Sequence, residues 1–177
     1  MLPQRQTARL TLVPASQADL DAFCGLLTDP AVRLYLRDDA RLARGQVSEL
    51  LDAYLALARE SLGPWTLRTQ GGDWIGCVGL RSVCASLAAP WPELTQELGP
   101  VVALVPQAWG QGYATEALEA AVAYAFEGLG RHRLVALVDE PNTRSHRLMQ
   151  CVGFVPVGAG PGPKYALRAF TLKGRRR

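Results

Sequence analysis

What this chain can fold into is constrained most by the stretch from residue 100 to residue 138. Pro100 to Val105 is a nearly all-apolar, β-branched run closed by Pro106, the pattern of a strand covered on both faces and therefore central in its sheet. After a glycine-containing turn, Ala114, Ala117, Leu118, Ala121, Val122 and Ala125 form one stripe of a helix from Gly112 to Phe126. Leu134 to Val138 is again an apolar strand. Strand, helix and strand in this order make a βαβ unit, which is right-handed and parallel with few exceptions. The head of its helix is where a ligand is expected. Glycines there let backbone approach closely, and the first-turn N–H groups lack intrahelical partners, so they can donate to phosphate oxygens at the positive end of the helix dipole.

Around this unit the patterning switches between helical and strand periods. Ala8 to Val13 alternates as a half-buried strand and Pro14 ends it. Ser16 caps a helix carrying Asp19 and Asp21 in its first turn, with Leu20, Phe23, Leu26 and Leu27 at helical spacing, and Asp29-Pro30 stops it. Val47, Leu50, Leu51, Tyr54, Leu55 and Ala58 define another helix from about Gln46 to Glu60. Trp65 to Thr69 and Trp74 to Leu80 read as an antiparallel hairpin turned at Gln70-Gly71-Gly72-Asp73. Val83 to Gln96 has no clean period and reads as a long loop. Thr143 to Val152 is a short helix stopped by Gly153, followed by a final strand pair, Phe154 to Val157 and Tyr165 to Leu172.

This order predicts an α/β fold: a mixed, mostly antiparallel sheet of seven strands flanked by about four helices, with one parallel βαβ unit. At 177 residues, 49% hydrophobic and 20% charged, the chain is expected to fold as one domain with its own core. Lys173, Arg175, Arg176 and Arg177 supply four positive charges against a net +3, so the remainder carries −1. That tail reads as a frayed, solvated end. The lack of a Lys/Arg cluster elsewhere argues against a nucleic-acid groove. Cys24, Cys77, Cys84 and Cys151 show neither CxxC spacing nor a nearby His, so no metal site is expected. They read as small buried thiols in a reducing compartment, which points to the cytoplasm. No export signal or membrane-spanning run is read.

Gly110-x-Gly112 alone identifies nothing, because any tight turn before a helix uses glycine for backbone reasons. A dinucleotide fold asks for a third glycine where Thr115 stands and for an acid ending the next strand, and Asp139 comes too late. A P-loop asks for Gly-Lys-Ser/Thr, which this turn lacks. The spacing Gln107-x-x-Gly110-x-Gly112 resembles instead the Gln/Arg-x-x-Gly-x-Gly/Ala signature of the GNAT superfamily of acyl-CoA N-acyltransferases. The longer string Pro106-x-x-Trp109-Gly110-Gln111-Gly112-Tyr113-Ala114-Thr115-Glu116-Ala117 is similar to the Rim-type subfamily, which acetylates protein N-termini, including those of ribosomal proteins. Asn142-x-x-Ser145 with Cys151-x-Gly153-Phe154, and Asp29-Pro30-Ala31-Val32 with Tyr35-Leu36, resemble further blocks of that subfamily.

The resemblance implies acetyl-CoA as cosubstrate and an amine acceptor, a peptide N-terminus or a small amine, with transfer inside a ternary complex. It implies that Gly110, Gln111, Gly112, Tyr113 and Ala114 present N–H groups to the pyrophosphate and that Gln107 braces the loop. Leu104 and Val105 would pair with the pantetheine amides through their backbones, and Asn142 would lie beside the pantetheine. Ser145 is the candidate acid for the departing thiolate, its other reading being a helix-face or capping serine. Glu97, in Glu97-Leu98-Gly99, is the candidate base, against a solvent-facing role. Tyr165 is an alternative acid, whereas His132 and His146 lack partner motifs. Interleaving of Asp29, Asp38, Asp39 and Glu93 with arginines leans toward a peptide N-terminus or a weakly charged amine and away from a polycation; a small amine such as an aminoglycoside, polyamine or amino acid is the alternative acceptor. A CoA-binding module without turnover is the remaining alternative. The protein is expected to act as a monomer or homodimer.

Overall fold

The computed structural model describes residues 2–36 and 39–174, Arg59 by its backbone alone. Asp38 and the arginines of the expected tail, Arg175 to Arg177, therefore lie outside the described residues. The chain forms two compact units, Met1–Gly79 with Val101–Ala120, and Leu80–Pro100 with Ala121–Arg177.

In the first unit, β1 (Arg5–Gln6) and β2 (Leu10–Pro14) pair antiparallel. Strand β2 pairs in turn with β3 (Gly63–Thr69), placing Leu12 opposite Leu67 and Pro14 opposite Trp65. Leu10 and Leu12 are buried while Thr11 and Val13 are only partly so, the alternation that a half-covered strand requires. The Ser16 N–H donates to the Asp19 carboxylate at 2.9 Å, and a 3₁₀ turn leads into α1 (Leu20–Thr28). Asp29-Pro30 does more than stop this helix. Asp29 Oδ1 accepts from the Ala31 N–H at 2.8 Å and starts a short α2 (Pro30–Arg33), because Asp before Pro ends one helix and caps the next equally well. Helix α3 (Arg44–Ala56) runs on as a 3₁₀ segment to Glu60. Phe23, Leu26, Leu27, Val47 and Leu51 of α1 and α3 pack with Cys77 and Ala103 of the sheet.

Strands β4 (Trp74–Ser82) and β5 (Leu98–Leu104) pass from one unit to the other, as does α4 (Tyr113–Ala123). A Cβ on Gly76 would stand 2.2 Å from the Ala103 carbonyl oxygen, so only glycine lets β4 approach β5 there.

In the second unit, β6 (Arg133–Asp139) runs parallel to β5, with Leu98 opposite Leu134. A Cβ on Gly99 would meet the Val135 carbonyl oxygen at 2.6 Å, which gives the glycine of Glu97-Leu98-Gly99 a backbone reason. Helix α5 (Thr143–Val152) has the bounds expected from sequence. Gly153 closes it at φ +97° while the Phe154 N–H returns to the Met149 carbonyl at 2.9 Å, a left-handed cap that favours glycine. Strand β8 (Leu167–Lys173) pairs antiparallel with β6 and with β7 (Val155–Gly160), which bulges between Pro156 and Gly158. The expected last strand began at Tyr165, but pairing starts at Leu167.

Together the strands form one mixed sheet in the order β1-β2-β3-β4-β5-β6-β8-β7. Among the described residues it has eight strands rather than the expected seven, and there are five α-helices rather than about four. The additions are β1 and α2, too short to carry a hydrophobic period. The aperiodic 83–96 stretch is not surface filler: Trp91 and Leu94 are buried with Val135, Leu167 and Ala169.

Candidate active site

The turn between β5 and α4 spends its own polar groups early. Ala108 N–H donates to the Val105 carbonyl at 2.9 Å, Trp109 N–H to the Pro106 carbonyl at 3.1 Å, and the Trp109 indole N–H to the Leu104 carbonyl at 2.9 Å. The Val105 N–H donates to the Ile75 carbonyl at 3.0 Å. For a pantetheine arm, Leu104 and Val105 therefore offer second lone pairs on their carbonyls, while the Val105 N–H is committed to β4. Gln107 takes part in the turn through its main chain. Gln111 Nε2 donates to the Gln107 main-chain carbonyl at 2.8 Å.

Beyond Trp109 the pattern reverses. Gly110 and Gly112 adopt φ +74° and +81°, left-handed values that L side chains rarely take. Among the described residues, the N–H groups of Gly110, Gln111 and Gly112 donate no hydrogen bond. Helix α4 begins at Tyr113, and Ala114 sits in its first turn. Donor groups of this kind at the head of an 11-residue helix form a concavity suited to an anion such as a phosphate.

Arg9, singled out by no local sequence pattern, stands at this turn. Its Nη1 donates to the Gln111 carbonyl at 2.9 Å, its Nε to Glu116 Oε2 at 2.7 Å, and its guanidinium lies 4.6 Å from the centre of the Tyr113 ring. Glu116 Oε1 accepts from the Arg9 N–H at 2.7 Å and from the Thr7 hydroxyl at 2.6 Å. Burial alone would raise the Glu116 carboxyl, but hydrogen bonds from Thr7 and Arg9 and the Arg9 charge hold it below its ordinary value. No local pattern announces this cluster, because its members come from sequence positions more than a hundred residues apart.

In the second unit, Asn142 is the N-cap of α5, with Oδ1 accepting from the Ser145 N–H at 3.1 Å. The Ser145 hydroxyl is partly exposed and has no hydrogen bond among the described residues. Glu97 lies just before β5, where its Oε1 accepts from Arg133 Nη2 at 2.7 Å and Nε at 3.0 Å. Arg133 is held in turn by the Glu93 carbonyl at 2.7 Å. His146 meets the Asp139 carbonyl at 3.1 Å and packs edge-on against Phe170, a packing role. Tyr165 lies in the loop before β8, with Lys164 over its ring at 5.1 Å.

A hollow of about 70 Å³ opens beside Arg81, Cys84, Leu87, Gly99 and Val135. Cys84 is exposed there, its thiol lowered by hydrogen bonds from Ser86 and by the Arg81 charge. Only Cys77 is the buried thiol expected, and burial pushes it up to about 12; Cys151 is exposed and Cys24 intermediate. Apolar neighbours in sequence do not guarantee burial, because they can turn to the other face of their element. Among the described residues no helix is long and apolar enough to cross a membrane.

Comparison with known proteins bears on this geometry. The family model described as acetyltransferase (GNAT) domain matches residues 9–155. The chain is 26% identical over 160 residues to the uncharacterized N-acetyltransferase YoaA of Bacillus subtilis, covering 89% of this chain and 86% of that one. The structure superposes with TM-score 0.78 on RimL, a ribosomal alpha-N-protein acetyltransferase in complex with coenzyme A, at 14% identity over 97% of each chain. It superposes with TM-score 0.76 on spermidine N-acetyltransferase from Vibrio cholerae in complex with CoA and spermine, at 17% identity over 94% of this chain and 96% of that one. At such identities the two structures speak for the fold alone. The match over residues 9–155 decides the family: this chain belongs to the GNAT acetyltransferases and is an N-acetyltransferase that draws its acetyl group from acetyl-CoA.

Proposed function

We propose that this enzyme acetylates the N-terminal α-amine of a protein or peptide by direct transfer in a ternary complex, with the diphosphate of acetyl-CoA seated on the 110–114 turn. The family match runs through segments of both compact units, which supports reading the chain as one acetyltransferase domain. Support for the cosubstrate seat comes from the undonated N–H groups of Gly110, Gln111 and Gly112. The observation that carries the acceptor class is the state of the acids expected to line its approach. Asp29 is consumed as a helix cap and Asp39 pairs with Arg33 at 3.3 Å. Asp29 keeps its charge as a cap, but Asp39, offset by Arg33, attracts a polycation weakly.

The chemistry of the amine points the same way. An α-amine titrates near about 8, so an appreciable fraction is neutral at neutral pH, whereas a lysine-like alkyl amine near about 10.4 needs a much stronger base. Glu97, with one oxygen held by Arg133, suits the lighter task. It receives the ammonium proton through water as the new N–C bond forms. The C–S bond breaks, and Ser145 supplies the proton that the departing thiolate takes up. Oxyanion stabilisation falls to a main-chain N–H near Leu104, since that of Val105 is engaged by Ile75.

The competing reading, a small-amine acetyltransferase, draws on the fold shared with the spermidine enzyme. Thiol release from acetyl-CoA separates the two when peptides with free and blocked N-termini are run beside polyamines and amino acids. We expect free-N-terminus peptides to give kcat/KM about tenfold or more above any polyamine, the margin that one well-placed polar contact supplies. Turnover of polyamines with inert peptides would install the small-amine reading instead.

A further inference from the structure

The 110–112 turn does not hold its shape by itself. Its peptide between Gln111 and Gly112 turns about ψ of Gln111 and φ of Gly112, and Gly112, at φ +81°, is a residue that reorients at little cost. A peptide unit is planar and trans, so its C=O and N–H point in opposite directions. The hydrogen bond from Arg9 Nη1 to the Gln111 carbonyl thereby also sets where the Gly112 N–H points, away from Arg9.

Arg9 is itself oriented. Glu116 takes its Nε and its main-chain N–H, and the Tyr113 ring lies under the guanidinium. Its Nη2 stands 3.3 Å from the place a Gly112 Cβ would occupy, so the glycine makes room for the cation as well as for the turn. A cation beside a helix head is opposed by the helix dipole. Glu116 offsets that cost, and an anion bound at the turn would offset it further.

We infer that Arg9, held by Glu116, is a positioning residue for acetyl-CoA, fixing the Gln111–Gly112 peptide so that the Gly112 N–H faces the diphosphate. This rests on the reading of the turn as the cosubstrate's seat. The role needs the forked guanidinium, because one group must reach Glu116 and the Gln111 carbonyl together; an ammonium supplies the charge but not the fork.

The test is calorimetric titration of the full chain with coenzyme A, using R9A, R9K and E116Q, with G112E as reference and acetyl-CoA kinetics alongside. We expect R9A and R9K both to weaken binding by about tenfold or more, as loss of a charge-assisted hydrogen bond implies. The KM for acetyl-CoA should rise while kcat at saturation stays within about twofold, a split that reports lost ground-state binding. E116Q should fall in the same direction by a smaller factor. Wild-type affinity in R9K would overturn the positioning role, showing Arg9 to act as a bare charge. Wild-type affinity in both Arg9 variants with binding lost in G112E would leave the seat standing and remove Arg9 from it. Undiminished binding in G112E would remove the seat, and this inference with it.

Discussion

Two helices of this enzyme begin beside proposed site residues, and they treat their first-turn N–H groups in opposite ways. Helix α5 is closed by its own chain: Asn142 accepts from Ser145 and leaves that donor nothing to offer a ligand. Helix α4 is approached through Gly110-Gln111-Gly112, whose own N–H groups donate no hydrogen bond among the described residues. The difference teaches what to look for in a ligand-binding helix head. A capped head is finished by folding, and an uncapped one with left-handed glycines is finished by what it binds.

The sharpest way to break this contrast is Gly112→Glu. It puts a carboxylate at the proposed phosphate seat, strains a residue at φ +81° and crowds Arg9. Coenzyme A affinity should fall by about a hundredfold or more with far-ultraviolet circular dichroism unchanged; calorimetry that finds wild-type affinity would place the cosubstrate elsewhere. Next in size is Ser145→Ala. If the hydroxyl protonates the thiolate, kcat should drop by about a hundredfold, the usual scale of general-acid catalysis, with KM for acetyl-CoA little changed. A steady-state profile in which kcat holds would return Ser145 to the helix face.

Asn142→Ala tests the other helix. Loss of its cap should cost about 1 kcal/mol of stability, read as an earlier urea midpoint at constant slope. A large loss of coenzyme A affinity at unchanged stability would mean that the amide serves the ligand rather than the helix. The smallest effect concerns Glu116. Its carboxyl is held below the ordinary 4.5, so its contribution to stability is present above pH 4.5 and is lost as pH falls through the depressed folded value. Glu116→Gln should flatten the fall in unfolding free energy below pH 4.5, and equal acid slopes in the two proteins would show that the cluster is not populated in solution.

Legibility in the sequence followed the range over which each feature is determined. Helix α5 was readable from Thr143 to Gly153 because its apolar stripe and glycine stop lie within a few turns of each other. The turn at Gln107-x-x-Gly110-x-Gly112 was readable because left-handed backbone demands particular residues in place. Asp29-Pro30 was ambiguous, since the same pair both ends and begins a helix. Trp91 and Leu94 became core residues inside an aperiodic segment, where no pattern of period 2 or 3.6 could mark them.

By itself the sequence determined the order of elements, the central apolar strand, the open glycine turn and the spacing that marks an acetyltransferase, because these depend on neighbouring residues and their backbone preferences. Tertiary structure alone decided that Arg9 and Thr7 meet Glu116, that Arg133 takes up Glu97, and that Cys84 faces outward. Each depends on which strands lie side by side and which face of an element turns inward. Those outcomes are settled only when distant segments pack, and the energy that selects them is shared among many contacts rather than written at any one position.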